Sequence, residues 1–379
     1  MQGHTMNVIF IQQSAGRGGS KNSLAESLAA ISAEGSIRPR VICSETGPFT
    51  ERCARIGVPL TIAPLPAWRK LFERIRFPSA MRSISRDLAP WRPDWIISNE
   101  MWWAPHASAI ARHLGCRSAV ILRDGIATVR KSLQYRLQEH DLILPVSSTI
   151  ASALTSHPEF TSKVQVLFNS VSVPAVDAGD TRKLDQLLLP YPEVRRWLLV
   201  VGKLSPRKNQ AAAVQVLRSL IDAGETDAGL LLAGDIDPAY LPVMEQAITG
   251  ARLGDRVAMI GNFDGVASLL ERAGTLLLPS FREGLPRSLV EAVTAGKPAF
   301  SYPCEGVDDI YGPHRDTFVS ADPTPAALVS TIQRAWSQPE ASAKAFAEVR
   351  ESVLSRFSPQ AHLARLSSLL NEPSQKPSR

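Results

Sequence analysis

The stretch Leu278-Pro279-Ser280-Phe281-Arg282-Glu283-Gly284-Leu285-Pro286-Arg287-Ser288-Leu289-Val290-Glu291-Ala292-Val293-Thr294-Ala295-Gly296-Lys297-Pro298 carries most of the information in the chain. An apolar run, Thr275–Leu278, ends at Pro279 and reads as a buried strand. Pro286 suits the first turn of a helix running to Ala295. A second apolar run, Pro298–Tyr302, then returns as a strand. Strand, helix, strand is the unit of a parallel sheet covered by helices.

The same alternation extends in both directions. Towards the C-terminus, helical patterns fall at Pro325–Ser337, Ala341–Arg356 and Pro359–Leu370. Towards the N-terminus, strands are expected at Trp197–Val201, Gly229–Ala233 and Arg256–Ile260. Helices at Asn209–Asp222, Leu241–Thr249 and Gly265–Glu271 separate them. A proline-containing, weakly patterned stretch, Val173–Glu193, reads as a joint. Before it lies a second set, with strands at Asn7–Ile11, Arg40–Cys43, Trp95–Ile97, Ser118–Leu122, Asp141–Pro145 and Lys163–Leu167. Its helices include Ser20–Ser32, Pro105–Leu114 and Ser147–Thr155, the last capped by Ser147. The expected fold class is therefore α/β, with two Rossmann-like doubly wound domains facing each other across a cleft. The expected limits are 1–175 and 176–357, then a helix over 358–370 and a disordered polar tail, 371–379.

Composition agrees with two cores. The 379 residues are 44% hydrophobic and 21% charged, an ordinary globular balance. A net charge of +6 suits an anionic partner without choosing one. Four cysteines, Cys43, Cys53, Cys116 and Cys304, form no CxxC pair, so reduced thiols and a cytoplasmic setting are expected. Val8–Ile11 is too short for a secretion signal. No run approaches the roughly 18 apolar residues of a membrane span.

Several groups carry chemistry. A helix start leaves backbone N–H groups free at Gly284 to Arg287, suited to phosphate or sugar oxygens. Glu283 and Glu291 could each accept hydrogen bonds from paired sugar hydroxyls; the alternative is a helix cap and a solvated side chain. Lys203 and Lys208 flank another helix start, where a cation opposes the helix dipole, so an anionic ligand would explain them. The Gly-rich turn Ser14–Ser20, with Gly18 and Gly19, lacks the dinucleotide spacing, which argues against NAD. His106 and His113 share a helix face but read more simply as packing or surface residues. Asp235, Asp237, Asp308 and Asp309 make weak metal motifs, and no metal is expected.

The Glu283–Glu291 spacing within its segment resembles the signature of retaining family 4 glycosyltransferases, which have the two-domain GT-B fold. Gly202-Lys203-Leu204-Ser205-Pro206-Arg207-Lys208-Asn209 resembles that family's basic loop opening the second domain. Leu231–Asp235, Leu167–Val171 and Phe357-Ser358-Pro359 fall in the family's order. The resemblance implies that the final helix crosses back to the first domain. It also implies that Glu283 binds donor-sugar hydroxyls, with backbone donors at Gly284 and Leu285. Glu291 would hold the ribose and Lys208 the diphosphate. Lys203, where the family usually has Arg, would assist. Gly18 and Gly19 would lie near the donor, and backbone around Gly261-Asn262-Phe263 would read the base.

The chain departs from the family at Val120–Gly125, where Arg123 and Asp124 stand in place of the usual His. Asp124 would suit a hydroxyl or a proton and Arg123 a phosphate; a mutual surface ion pair is the alternative. The implied activity is transfer from a UDP- or GDP-sugar, without cofactor, to a saccharide or lipid-linked saccharide, with retained configuration, in cell-surface polysaccharide synthesis. Alternatives are a nucleotide-sugar 2-epimerase, a non-catalytic sugar-nucleotide-binding subunit and, least supported, a nucleic-acid binder. The basic, aromatic stretch 68–86 places Trp68, Leu71, Phe72 and Ile75 on one helical face. That suits peripheral contact with the inner face of an anionic membrane, or else core packing.

Overall fold

The computed structural model describes residues 5–125 and 128–372. The chain divides into two compact units, Met1–Val171 with Arg356–Arg379, and Ser172–Ser355. Each is built on one parallel sheet.

In the first unit the strands are β1 (Met6–Ile11), β2 (Ile37–Cys43), β3 (Leu60–Ile62), β4 (Trp95–Ser98), β5 (Arg117–Leu122) and β6 (Leu142–Pro145). Their spatial order is β3-β2-β1-β4-β5-β6. The second unit has β7 (Arg196–Val201), β8 (Ala228–Ala233), β9 (Val257–Gly261), β10 (Ala273–Leu278) and β11 (Ala299–Ser301), in the order β11-β10-β7-β8-β9. Both sheets grow outward from their first strand, then return to add strands on its other side. The turning points lie between β1 and β4 and between β7 and β10. In such sheets ligands bind beyond the strand C-termini at these points.

The central strands are apolar from end to end because helices cover both faces. All of Ala228–Ala233 is buried, as are Trp95–Ser98. In the first unit Ile9, Ile11, Ile42 and Ile96 pack with Met81, Ile84 and Ile110 in one core. Ser147 caps its helix as expected, its hydroxyl accepting from the Ile150 amide.

Five local readings differ. Lys163–Leu167 is not a strand: Val164 makes only an isolated parallel bridge to Ile143, so the edge extends for a few bonds and stops. The three-residue edge strand β3 gave no periodic signal. The joint contains a helix, Ala178–Leu188, whose cap Asp177 accepts from the Gly179 and Asp180 amides at 2.8 and 2.9 Å. Its pattern is weak because it buries only Leu184 and Leu188. Trp68 is not on the face of Leu71, Phe72 and Ile75, because the helix begins at Leu71. Trp68 packs edge-on against Phe77 instead. Within the tail expected over 371–379, Asn371 still ends a helix and 373–379 lie outside the described residues. Among the described residues no helix is long and apolar enough to cross a membrane.

The last helix, Pro359–Asn371, packs on the first unit. The His362 ring lies 2.6 Å from the Phe168 carbonyl oxygen and 2.9 Å from the Ser27 hydroxyl. At the helix end, the Trp95 indole N–H and the Arg117 guanidinium both donate to the Leu370 carbonyl. Burial lowers His362 to about 4, and does the same to His106 and His140. These folded-state values lie below the 6.5 of an exposed imidazole, so acid protonates the unfolded chain first. Their stabilisation is complete above pH 6.5 and is lost as pH falls towards 4. The thermal midpoint of the first unit should decline across that window; a midpoint unchanged from pH 7 to 4 would contradict neutral burial.

Candidate functional site

The turning point of the second sheet brings two loops together. β7 leads into Gly202 at φ 136°. A Cβ there would make ordinary contact with Lys208 Cε at 3.4 Å, so the backbone angle, rather than space, calls for glycine. The neighbouring strand end closes against this loop through Gly234, where an added Cβ would fall 2.2 Å from the Gly202 carbonyl oxygen. Buried Gln210 fastens the loop, accepting from the Ser205 amide and donating to the Lys203 carbonyl at 3.1 Å. Asn209, at φ 53°, turns the chain into the helix Gln210–Asp222. Lys208 is thereby held one residue before that turn.

The second loop follows β10. It is tied to the first by the Phe281 amide donating to the Arg207 carbonyl, and by the Arg207 guanidinium donating to the Arg282 carbonyl at 2.7 Å. Lys208 Nζ then stands 2.7 Å from Glu283 Oε1, and Arg207 lies 3.4 Å from Oε2. Glu283 is 8% exposed. Burial alone would raise its pKa; Lys208 and then Arg207 outweigh that and hold it below the ordinary value. Oε1 faces the Lys208 ammonium at 2.7 Å, and a carboxylate oxygen keeps a second lone pair. Such a carboxylate oxygen is ready to accept from a ligand hydroxyl.

Glu283 is therefore neither a helix cap nor solvated. Its amide donates to Glu305 Oε2 at 2.9 Å, and the loop carrying Glu305 presses on Gly284 and Leu285. Gly306, at φ 82°, allows this: a Cβ there would meet the Gly284 oxygen and Leu285 Cα at 3.0 Å. Gly284 and Leu285 are buried just ahead of the helix Arg287–Thr294. Glu291, inside that helix, is mostly buried and accepts from Arg287 at 2.9 Å.

The structure thus gathers Lys208, Glu283, Gly284 and Leu285, with Glu291 on the adjoining helix. Lys203 is turned elsewhere, 60% exposed and 3.4 Å from Asp237. Asp237, one of the metal-like aspartates, is engaged there, and Asp308 is bound to Arg315. Among the described residues no group of three or more His, Cys, Asp or Glu is placed to hold a metal. Asn262 is exposed beyond the edge strand β9. Arg207 and Glu305 were missed. Arg207 stands in the basic loop beside Lys208, and that was the available signal; nothing local marks Glu305.

In the first unit, Gly18 (φ 145°) and Gly19 open the helix Gly19–Glu34 and are exposed. Arg123 follows β5, and its guanidinium donates to Asn99 Oδ1 at 2.8 and 3.0 Å and to Asn169. Asn99 in turn donates to Gln12 at 2.6 Å. These amides join the ends of β1, β4 and β5 at the first sheet's turning point. Asp124 is exposed. His106 is buried with Nε2 2.8 Å from the Pro66 carbonyl oxygen, a packing role.

Residues 189–351 match the model of the family Glycosyl transferases group 1. A 152-residue stretch is 34% identical to 2-deoxystreptamine glucosyltransferase of Streptomyces kanamyceticus, covering 40% of this chain and 38% of that one. Over 187 residues it is 25% identical to N-acetyl-alpha-D-glucosaminyl L-malate synthase of Bacillus anthracis, covering 49% of this chain and 47% of that one. The chain thus spans less than half the length of the curated relatives it matches. Over the whole fold it resembles HepE of Anabaena, solved in complex with UDP and glucose. The TM-score is 0.81 at 17% identity, covering 96% of this chain and 99% of the other. That likeness establishes the GT-B architecture of two parallel sheets with flanking helices. The family match thus covers less than half of the chain, residues 189–351, while the likeness of fold runs over nearly all of it.

Proposed function

We propose that the chain transfers a sugar from a UDP- or GDP-sugar to a hydroxyl of a saccharide or lipid-linked saccharide, with retained anomeric configuration, in cell-surface polysaccharide assembly. One observation carries the donor half: a mostly covered cation and a buried carboxylate, Lys208 and Glu283, meet 2.7 Å apart where the second sheet turns. Beside them lies a helix start whose first amides have no intrahelical acceptor.

The roles follow from charge. Lys208 and Arg207 face the diphosphate, and the amides at Gly284 and Leu285 add donors. Glu283 accepts from sugar hydroxyls through Oε1, and Glu291 from the ribose. As the bond from the anomeric carbon to the β-phosphate oxygen breaks, negative charge grows on the departing nucleoside diphosphate. A fixed ammonium stabilises it most at that moment. The acceptor oxygen bonds to the anomeric carbon on the same face, and its proton passes to a leaving phosphate oxygen. Arg123, fixed by Asn99 and Asn169, is assigned to phosphate, and Gly18 and Gly19 to close backbone approach. Asn262 keeps a secondary donor role and Asp124 a hydroxyl contact, while Lys203, turned to Asp237, would reach the donor only by leaving that partner.

No metal enters this scheme. Activity should persist in excess chelator; loss restored by added magnesium would overturn that part. The exposed Leu71, Phe72 and Ile75, ringed by basic residues, fit peripheral attachment to the inner face of a cytoplasmic membrane. A thermal-shift panel of sugar nucleotides tests the class, because a ligand binding only the folded state raises its midpoint. At least one UDP- or GDP-sugar should raise it, and turnover should require an acceptor. Epimerised sugar nucleotide formed without acceptor, or binding with neither transfer nor hydrolysis, would contradict transferase activity.

A further inference from the structure

The first unit holds a cavity of about 560 Å³ that the transfer scheme does not use. Trp68, Arg69, Arg74 and Arg136 line it, with Glu139 at its wall. Arg74 and Arg136 lie over the Trp68 ring at 4.6 and 4.9 Å, and Arg69 lies over Trp102 at 4.8 Å. The Trp68 indole N–H donates to the Gln134 carbonyl, which fixes the ring. A guanidinium stacked by its face keeps its in-plane N–H groups for a planar or tetrahedral anion.

The acid present does not balance these charges. Glu139 already serves Arg136 at 3.2 Å and Arg112 at 2.8 Å, and accepts from Ser108. Among the described residues no ion pair joins Arg69 or Arg74 to a carboxylate. Arg69 and Arg74 thus leave uncompensated positive charge on one cavity, and a phosphate would offset it with charge-assisted hydrogen bonds.

The helix that carries Arg74 is apolar in an unusual direction. The helix Leu71–Leu88 buries Phe77, Met81, Ile84 and Leu88. At about 100° per residue, Leu71, Phe72 and Ile75 fall nearly opposite that stripe. They are 72%, 83% and 75% exposed. Six of the residues from 68 to 86 are Arg or Lys and one is Glu.

We propose that this cavity seats the phosphate of a phosphate-headed lipid, with Leu71, Phe72 and Ile75 entering the acyl layer beside it. The inference deepens the lipid-linked acceptor reading and rests on it for choosing a lipid over a free phosphate. The charges select the phosphate, and the apolar turn selects the amphiphile.

The test is binding without sugar nucleotide, so it is separate from turnover. Calorimetry with monomeric dihexanoyl phosphatidic acid is paired with sedimentation on phosphatidylcholine vesicles with and without phosphatidic acid. The native chain should bind the short-chain lipid and the acidic vesicles. Arg69→Gln with Arg74→Gln should weaken both at least about tenfold. Arg82→Gln with Arg86→Gln, an equal loss of charge outside the cavity, should weaken both far less. Leu71→Ser with Phe72→Ser and Ile75→Ser should abolish sedimentation. All variants should keep the sugar-nucleotide thermal shift, which belongs to Lys208 and Glu283. Equal losses in the two arginine pairs would show general attraction and overturn the site. Inorganic phosphate binding as tightly as the lipid, with the apolar variant sedimenting normally, would overturn the lipid.

Discussion

Glu283→Gln should lower kcat by about 100-fold or more, while free UDP or GDP binds as well as before or slightly better. Glutamine keeps the shape of the side chain and removes its charge. In the native site the carboxylate stands 2.7 Å from Lys208 and 3.4 Å from Arg207, so it competes with a diphosphate for both cations. Neutralising it frees them. What is lost is a charged acceptor for sugar hydroxyls, an interaction the free nucleotide never makes. Steady-state kinetics and calorimetry on one preparation separate the two effects. Equal losses of turnover and nucleotide affinity would move Glu283 out of contact with the sugar.

Lys208→Ala should abolish measurable diphosphate binding and also destabilise the second unit, by roughly 3–5 kcal/mol. The Lys208 side chain is 16% exposed and that of its partner Glu283 9%. Removing the ammonium strands a buried carboxylate, with Arg207 as partial compensation. The thermal midpoint should drop by roughly 6–20 °C, and Glu283→Gln in the same chain should recover most of the drop without restoring binding. Acid sensitivity should change too. Glu283 is held below the ordinary 4.5, so its stabilisation is present above that value and lost as pH falls through the folded one. Without Lys208, burial dominates and the sign reverses: the stranded carboxylate destabilises the fold at neutral pH, and acid that protonates it recovers stability. A variant as stable as the native chain would show that the pair is not a buried one.

Most of the architecture was legible because parallel strands covered on both faces must be continuous apolar runs. Trp197–Val201 and Gly229–Ala233 announce themselves in this way. What was not legible shows where periodicity fails. Ala178–Leu188 buries two side chains, and β3 has three residues at an edge. Within the site, Lys208 and Glu283 were readable because each adjoins a helix start next to glycine or proline. That they pair was not, because contact between loops 75 residues apart depends on strand order. Glu305 reaches the Glu283 amide across a third loop, and Asn99, after β4, and Asn169, in an irregular segment after β6, grip Arg123. Nothing local encodes such long-range partners.

Diffraction from crystals soaked in a UDP- or GDP-sugar tests the central claim most directly. Its diphosphate should lie on Lys208 and the amides of Gly284 and Leu285, with a sugar hydroxyl donating to Glu283 Oε1. A ligand bound elsewhere on the second unit, or Glu283 still closed on Lys208 with no sugar oxygen in reach, would contradict it.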